Sequence, residues 1–145
     1  MKLWEANHGP PRFAFEAVSR NHPYKDYVTV PEKCAIVGVQ ELVVFDPLLA
    51  GPHSGGGPFL LQVWRRTAQG RFERVYKGDG PARCEYHDAF LIADATNRTL
   101  DIALQPTGKG RWPTPEEDAL LREAVASQRR ACAREGASRR RASPG

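Results

Sequence analysis

The 145-residue chain has few residues of the kind that build cross-linked or metal-held frameworks, with three cysteines and one methionine. Cys34, Cys84 and Cys132 cannot all pair within one chain and lack metal-ligand spacing. Their pattern excludes a disulfide scaffold and a zinc knuckle, and it predicts a reducing, cytoplasmic compartment. No apolar run approaches the roughly 20 residues of a membrane span, and no signal-peptide core is present, so no membrane association is expected. Asn97-Arg98-Thr99 has the form of a glycosylation acceptor, which is a chance match in a chain without a secretion signal. The 13 glycines and 12 prolines follow no period, which excludes collagen-like and repeat architectures and leaves punctuated loops.

Hydrophobic residues make up 41% of the chain and charged residues 26%, a balance that supports a folded core of about one domain. The net charge of +4 is unevenly placed. Residues 127–145 hold six arginines and one glutamate, so that local +5 leaves −1 for the rest. The basic character belongs to a C-terminal tail that can meet anionic partners or simply solubilise the chain.

Phe13-Ala14-Phe15-Glu16-Ala17-Val18 reads as a strand with both faces largely apolar, the pattern of a strand in the middle of a covered sheet. After Asn21-His22-Pro23, a helix is predicted from near Pro31, or slightly earlier, to Val37, with Gly38 as its stop. Glu41-Leu42-Val43-Val44-Phe45-Asp46-Pro47 gives a second buried strand, and the three elements form a right-handed βαβ unit with parallel strands. The loop containing His53-Ser54-Gly55-Gly56-Gly57 lacks the Gly-Lys-Ser/Thr ending and the following helix of a phosphate loop. Residues 59–66 and 72–76 suit an antiparallel hairpin, residues 82–86 and 90–92 a further pair, and residues 100–104 another strand. Thr114-Pro115-Glu116-Glu117 is a full helix start, with a threonine cap, proline at the first position and glutamate three residues after the cap. The helix is predicted to end near Ala133, leaving residues 136–145 as a disordered basic tail.

Glu16 stands out. A carboxylate among Phe, Ala and Val carries a large desolvation cost unless a cation, a metal or hydrogen-bond donors meet it. Its structural explanation is an ion pair with Arg12 or a helix lysine. Its functional explanation is a magnesium ligand, completed by a second carboxylate and a lysine for phosphodiester hydrolysis. His22, His53 and His87 fall in loops and form no metal set, and Trp64, Tyr76 and Trp112 fit core packing better than base stacking.

The segments Phe13-Ala14-Phe15-Glu16-Ala17-Val18-Ser19, Lys25-Asp26-Tyr27, Pro31-Glu32-Lys33, Gly38-Val39-Gln40-Glu41 and Val44-Phe45-Asp46-Pro47 together resemble the Uma2 family of restriction-endonuclease-like proteins. Gly57-Pro58-Phe59, Leu61-Gln62-Val63-Trp64, Gly70-Arg71-Phe72, Val75-Tyr76 and Trp112-Pro113-Thr114-Pro115-Glu116-Glu117 extend the resemblance over most of the chain. The resemblance implies an α/β fold with a mixed sheet, flanking helices and a core like that of the PD-(D/E)XK nucleases, plus a C-terminal helix. Residues 1–112 would form the core, residues 113–135 the helix and residues 136–145 the tail. It further implies that Glu16 is a metal ligand for Mg2+ or Mn2+ and that Asp26 lies before the lysine-bearing helix. At the family's usual lysine position stands Val30, so Lys33 and Lys25 are the neighbouring substitutes.

The family's Pro-Asp strand, which supplies another metal-binding aspartate, has no counterpart here, and Glu5 does not replace it. The chain therefore resembles an N-terminally truncated member, with an exposed sheet edge and a tendency to form a homodimer. Two function classes follow: a magnesium-dependent endonuclease acting on DNA, inactive if the upstream aspartate is essential, or a non-catalytic interaction protein that retains the sheet.

Overall fold

The computed structural model describes residues 9–141, with side chains along the C-terminal helix described as far as Arg134. The chain divides into two units, Met1–Arg111 and Trp112–Gly145. In the first, β1 (Phe13–Ala17) leads through a π-helical turn (Lys25–Thr29) into α1 (Val30–Val37) and then β2 (Glu41–Phe45). There follow β3 (Leu61–Arg66), β4 (Phe72–Gly78), β5 (Ala82–Cys84), β6 (Ala89–Asp94) and β7 (Thr99–Ala103). The second unit holds α2 (Pro115–Arg141).

A four-stranded sheet has the order β1-β2-β3-β4, and a three-stranded sheet the order β5-β6-β7. The first is mixed: β1 and β2 run parallel, while β3 is antiparallel to both β2 and β4. The predicted parallel pairing of β1 and β2 across α1 and the hairpins are present, and the architecture is α/β with a mixed sheet and a helix packed against it.

Strand β2 explains the layering. All five of its residues are buried, and alternate side chains serve different cores because successive residues face opposite sides of a sheet. Leu42 and Val44 join Val18, Tyr27, Cys34 and Val39 beneath α1. Val43 joins Leu61 and Val63 against Ala82, Cys84 and Leu91 of the second sheet. The central strands are thus apolar on both faces because a helix covers one and a sheet the other.

β1 is the exception to the predicted placement. It pairs with β2 alone, at the edge of the described sheet, and Phe15 is 49% exposed. Its apolar run reflects contributions to both cores, Ala14 beneath α1 and Phe13 toward the second sheet, although a strand lies on one side of it only. α1 ends as predicted at Gly38, whose φ of 86° lies in the left-handed region that favours glycine.

The end of α1 is held from outside the helix. Arg66 donates from Nη2 to Ala35 O at 2.7 Å, and from Nε to the O of Val39 just past the helix at 3.1 Å, which places a cation at the negative end of the helix dipole.

The capping box of α2 forms as the sequence predicts. The backbone N–H of Thr114 donates to Glu117 Oε2 at 2.8 Å, and that of Glu117 donates to Thr114 Oγ1 at 3.3 Å. The helix continues past Ala133 and through residue 136 to Arg141. Its alanines, arginines and glutamates are strong helix formers and carry it across the single glycine. Residues 142–145 of the predicted tail lie outside the described residues. Among the described residues, no helix is long and apolar enough to cross a membrane.

Candidate functional site

The end of β1 and the π-helical turn bring two acids together. The turn holds the consecutive residues Asp26 and Tyr27 both buried, an arrangement that a regular helical turn, advancing 100° per residue, provides less readily. Single π-turns of this kind recur at functional sites. Asp26 is 1% exposed and accepts the Ser19 backbone N–H on Oδ2 at 2.8 Å. Lys25 Nζ stands 4.0 Å from Asp26 Oδ1.

Glu16 faces this carboxylate. Burial first, then the charge of Asp26 and a hydrogen bond between the two carboxyls, raise the Glu16 pKa above its ordinary value, with Lys25 acting in the opposite direction. A shared proton between facing carboxyls is the usual way to relieve their repulsion.

The Cys34 thiol lies close enough for Glu16 to raise its pKa, second to the effect of burial. Lys33, the other predicted lysine, is exposed on α1 and makes no ion pair with either acid among the described residues. The residue one helical turn before Cys34 is Val30, which packs against the same core. The helix face that meets Glu16 therefore presents methyl groups and a thiol. The structure brings together Glu16, Asp26 and Lys25, and leaves Lys33 outside. Among the described residues, no group of three or more His, Cys, Asp or Glu side chains is placed to hold a metal ion.

Two further buried acids are fully engaged. Asp46, 0% exposed, accepts from the Tyr27 hydroxyl at 2.8 Å, the Ala50 N–H at 2.9 Å and the Gly51 N–H at 2.8 Å. It fixes the turn after β2, as Asp-Pro at a strand end suggests. The Tyr27 ring sits 2.2 Å from where a Cβ on Gly51 would stand, so glycine is required there for close approach.

Glu41 was not singled out by the sequence reading. It accepts Arg65 Nε at 2.9 Å, Cys84 Sγ at 2.8 Å and the Glu85 N–H at 3.1 Å. Burial and then the bond to Glu41 push the Cys84 thiol pKa up to about 12. Glu41 borders a polar cleft of about 280 Å³ with Arg12, Gln40, Arg65, Arg66, Glu85 and Tyr86. Its signal was available: like Glu16, it is an acid in an apolar strand, and Arg65 lies in the facing strand as its register partner.

Aromatic rings and cations interleave across β3, β4 and the segment before them. Arg66 lies 5.5 Å over Phe72, Arg74 lies 5.5 Å over Trp64 and 5.2 Å over Phe59, and Lys77 lies 5.1 Å over Phe59. Among the described residues, none of these three cations is paired with a carboxylate. Trp64 and Phe72 stack at 6.2 Å, so the tryptophan serves packing, as predicted, while its face also carries a cation.

The raised Glu16 pKa has a definite consequence for stability. The folded chain binds a proton there more tightly than the unfolded chain, so stability is lost as pH rises from the ordinary carboxylate value through the folded one. Glu16→Gln is expected to raise the melting temperature at neutral pH, with the gain vanishing at pH values below about 4. A melting series across this range checks it, and a constant difference at every pH counts against the shared proton.

No protein-family model matches the chain, and neither a curated protein nor a solved structure does.

Proposed function

We propose that the chain is a divalent-metal-dependent, restriction-endonuclease-like protein acting on DNA phosphodiesters, in which Glu16 and Asp26 hold the metal and Lys25 stands beside them. The observation that carries this reading is the Glu16–Asp26 carboxyl pair at the junction of β1 and the π-helical turn, with its raised Glu16 pKa. Such a pair is at its most costly without a cation and accepts one readily. The donor chemistry fits magnesium, which is commonly held by one or two carboxylates and takes its remaining oxygens from water and substrate phosphate. Bound there, Mg2+ or Mn2+ would supply Lewis-acid polarisation of a phosphoryl oxygen and a more acidic water.

This chain's own residues have separable parts in the reading. Ser19 N–H orients Asp26, Lys25 adds positive charge where phosphate oxygens would lie, and Glu16 supplies the second carboxylate. Arg74 and Lys77, which pair with no carboxylate among the described residues, suit the sequence-independent contacts of a DNA backbone. Three free thiols suit a cytoplasmic setting. A second reading, a non-catalytic interaction protein that keeps the sheet, is favoured by the exposed position of Lys33 and by Val30 on the helix face toward Cys34.

Titration calorimetry with Mg2+ and Mn2+ separates the readings. Saturable binding by the native chain is expected, lost in Glu16→Gln and weakened at least about tenfold in Asp26→Asn, where one charged ligand is gone. Plasmid cleavage that requires the same metal and Glu16 would establish the enzyme. Absence of metal binding by a folded native chain would overturn the metal-dependent reading and leave the interaction protein.

A further inference from the structure

We infer that β1 is an interaction surface for a second copy of this chain, joining two four-stranded sheets edge to edge across a twofold axis. The backbone identifies the open side. Arg12 O accepts the N–H groups of Gln40 and Glu41, and Val18 N–H donates to Phe45 O, so the even-numbered residues of this segment direct their backbone groups toward β2. Alternation along a strand then directs the N–H and C=O of Phe13, Phe15 and Ala17 away from β2. Among the described residues, these groups meet no partner.

The two edges of the mixed sheet are guarded differently. β4 carries Arg74, Glu73 and Lys77, and a register shift between Val63 and Trp64 disrupts its pairing with β3. Charges and irregularities of this kind discourage edge-to-edge association. β1 has one charge in five residues, no proline and no register shift, and half-exposed Phe15 beside the open edge.

The sequence of this edge is complementary to itself. Antiparallel pairing can only match outward-directed groups with outward-directed groups, which sets odd-numbered residues opposite odd-numbered ones. A twofold axis through Ala14 puts Phe13 opposite the partner's Phe15, and each such pair exchanges both of its backbone bonds. The same register puts Arg12 opposite the partner's Glu16 at the closer, non-hydrogen-bonded positions. Arg12 is exposed and has no ion-pair partner among the described residues. An axis through Phe15 would instead set Arg12 against the partner's Val18 and Glu16 against the partner's Ala14. Aromatic and opposite-charge cross-strand pairs both favour the register through Ala14, and a closed twofold contact uses up the edge rather than propagating a fibre.

The test is the mass of the full chain in solution by sedimentation equilibrium. The native protein is expected at twice 16.1 kDa. Arg12→Glu should raise the dimer dissociation constant by roughly tenfold or more, because like charges then face each other at both symmetry-related positions. Glu16→Arg should do the same, and the double exchange R12E/E16R should restore the dimer.

In a Cys132→Ser background, Ala14→Cys should form a covalent dimer on oxidation, since the two residues would lie about 4.5 Å apart at Cα across the axis. A native monomer at all concentrations, or a dimer indifferent to Arg12→Glu, overturns the proposal. A dimer weakened by both single exchanges but not restored by the double one overturns this register. The inference does not depend on metal binding: Arg12→Glu, unlike Glu16→Arg, leaves Glu16, Asp26 and Lys25 in place, so that variant reads loss of the dimer apart from loss of the metal.

Discussion

Asp46→Ala is expected to destabilise the folded chain by about 3 kcal/mol or more, since each buried donor left without an acceptor costs about 1–3 kcal/mol. Two backbone donors, the N–H groups of Ala50 and Gly51, lose their acceptor outright, and the Tyr27 hydroxyl is left with Phe59 O alone. Water cannot readily replace the carboxylate, because Asp46 is 0% exposed. Tyr27→Phe removes only one of these bonds, together with the contacts of its hydroxyl to the Phe59 N–H and C=O, and should cost about 1–2 kcal/mol. Urea unfolding midpoints measure both, with an unchanged denaturant slope showing that native stability itself has moved. The substitution should also reach the candidate site. Tyr27 follows Asp26 in the π-helical turn, so releasing its hydroxyl loosens the backbone that aims Asp26 at Glu16. A loss of metal affinity in Asp46→Ala, beyond what its lowered stability explains, would show that coupling.

Glu41→Ala is expected to cost about 3 kcal/mol, at the lower end of the range for breaking a buried ion pair. The lower end applies because Arg65 retains Glu85, with Nη1 at 3.0 Å from Glu85 Oε1. What remains unsatisfied is the Cys84 thiol and the Glu85 and Tyr86 N–H groups, all of which donate to Glu41. A double-mutant cycle with Arg65→Ala separates the ion pair from these other bonds. If the ion pair dominates, the double variant should be little worse than Glu41→Ala. If the two losses add, the bonds from Cys84 and Glu85 carry the effect. The four groups join β2 and β3 to the start of the second sheet, so the expected loss is one of sheet-to-sheet attachment.

These two acids mark the boundary of what the sequence makes legible. The strands, the hairpins and the helix ending at Gly38 follow from local rules, because alternation, glycine and proline act over a few residues. The position of β1 does not. Phe13 and Ala14 report that a layer lies on each face of the strand, and such a pattern is the same whether one neighbour or two complete its hydrogen bonds. Glu16 was visible as an acid in an apolar strand, and Asp26 as a neighbour of the helix. Their meeting depends on the π-helical turn, a one-residue change in winding that side-chain chemistry does not announce. Glu41 opened a strand that otherwise reads as Leu-Val-Val-Phe, and it was absorbed into that run. Its partners lie 24 to 44 residues away along the chain, beyond the reach of any local pattern. Lys33 shows the reverse error: closeness in sequence to a motif did not place it on the helix face that turns toward Glu16.

The arginine that closes α1 also constrains the order in which this chain can organise itself. α1 spans eight residues, too few to persist alone in water. The carbonyls of Ala35 and Cys34 near its end are met by Arg66, 31 and 32 residues later in the chain. The helix therefore cannot complete its end until β3 has crossed back beside β2. Loop-closure entropy is spent before that bond is gained, which ties a seemingly local element to non-local assembly. The parallel strand, the helix and the hairpin behind it thus gain their order as one cooperative block, and the carboxyl pair at the head of the helix comes into register only when that block has closed.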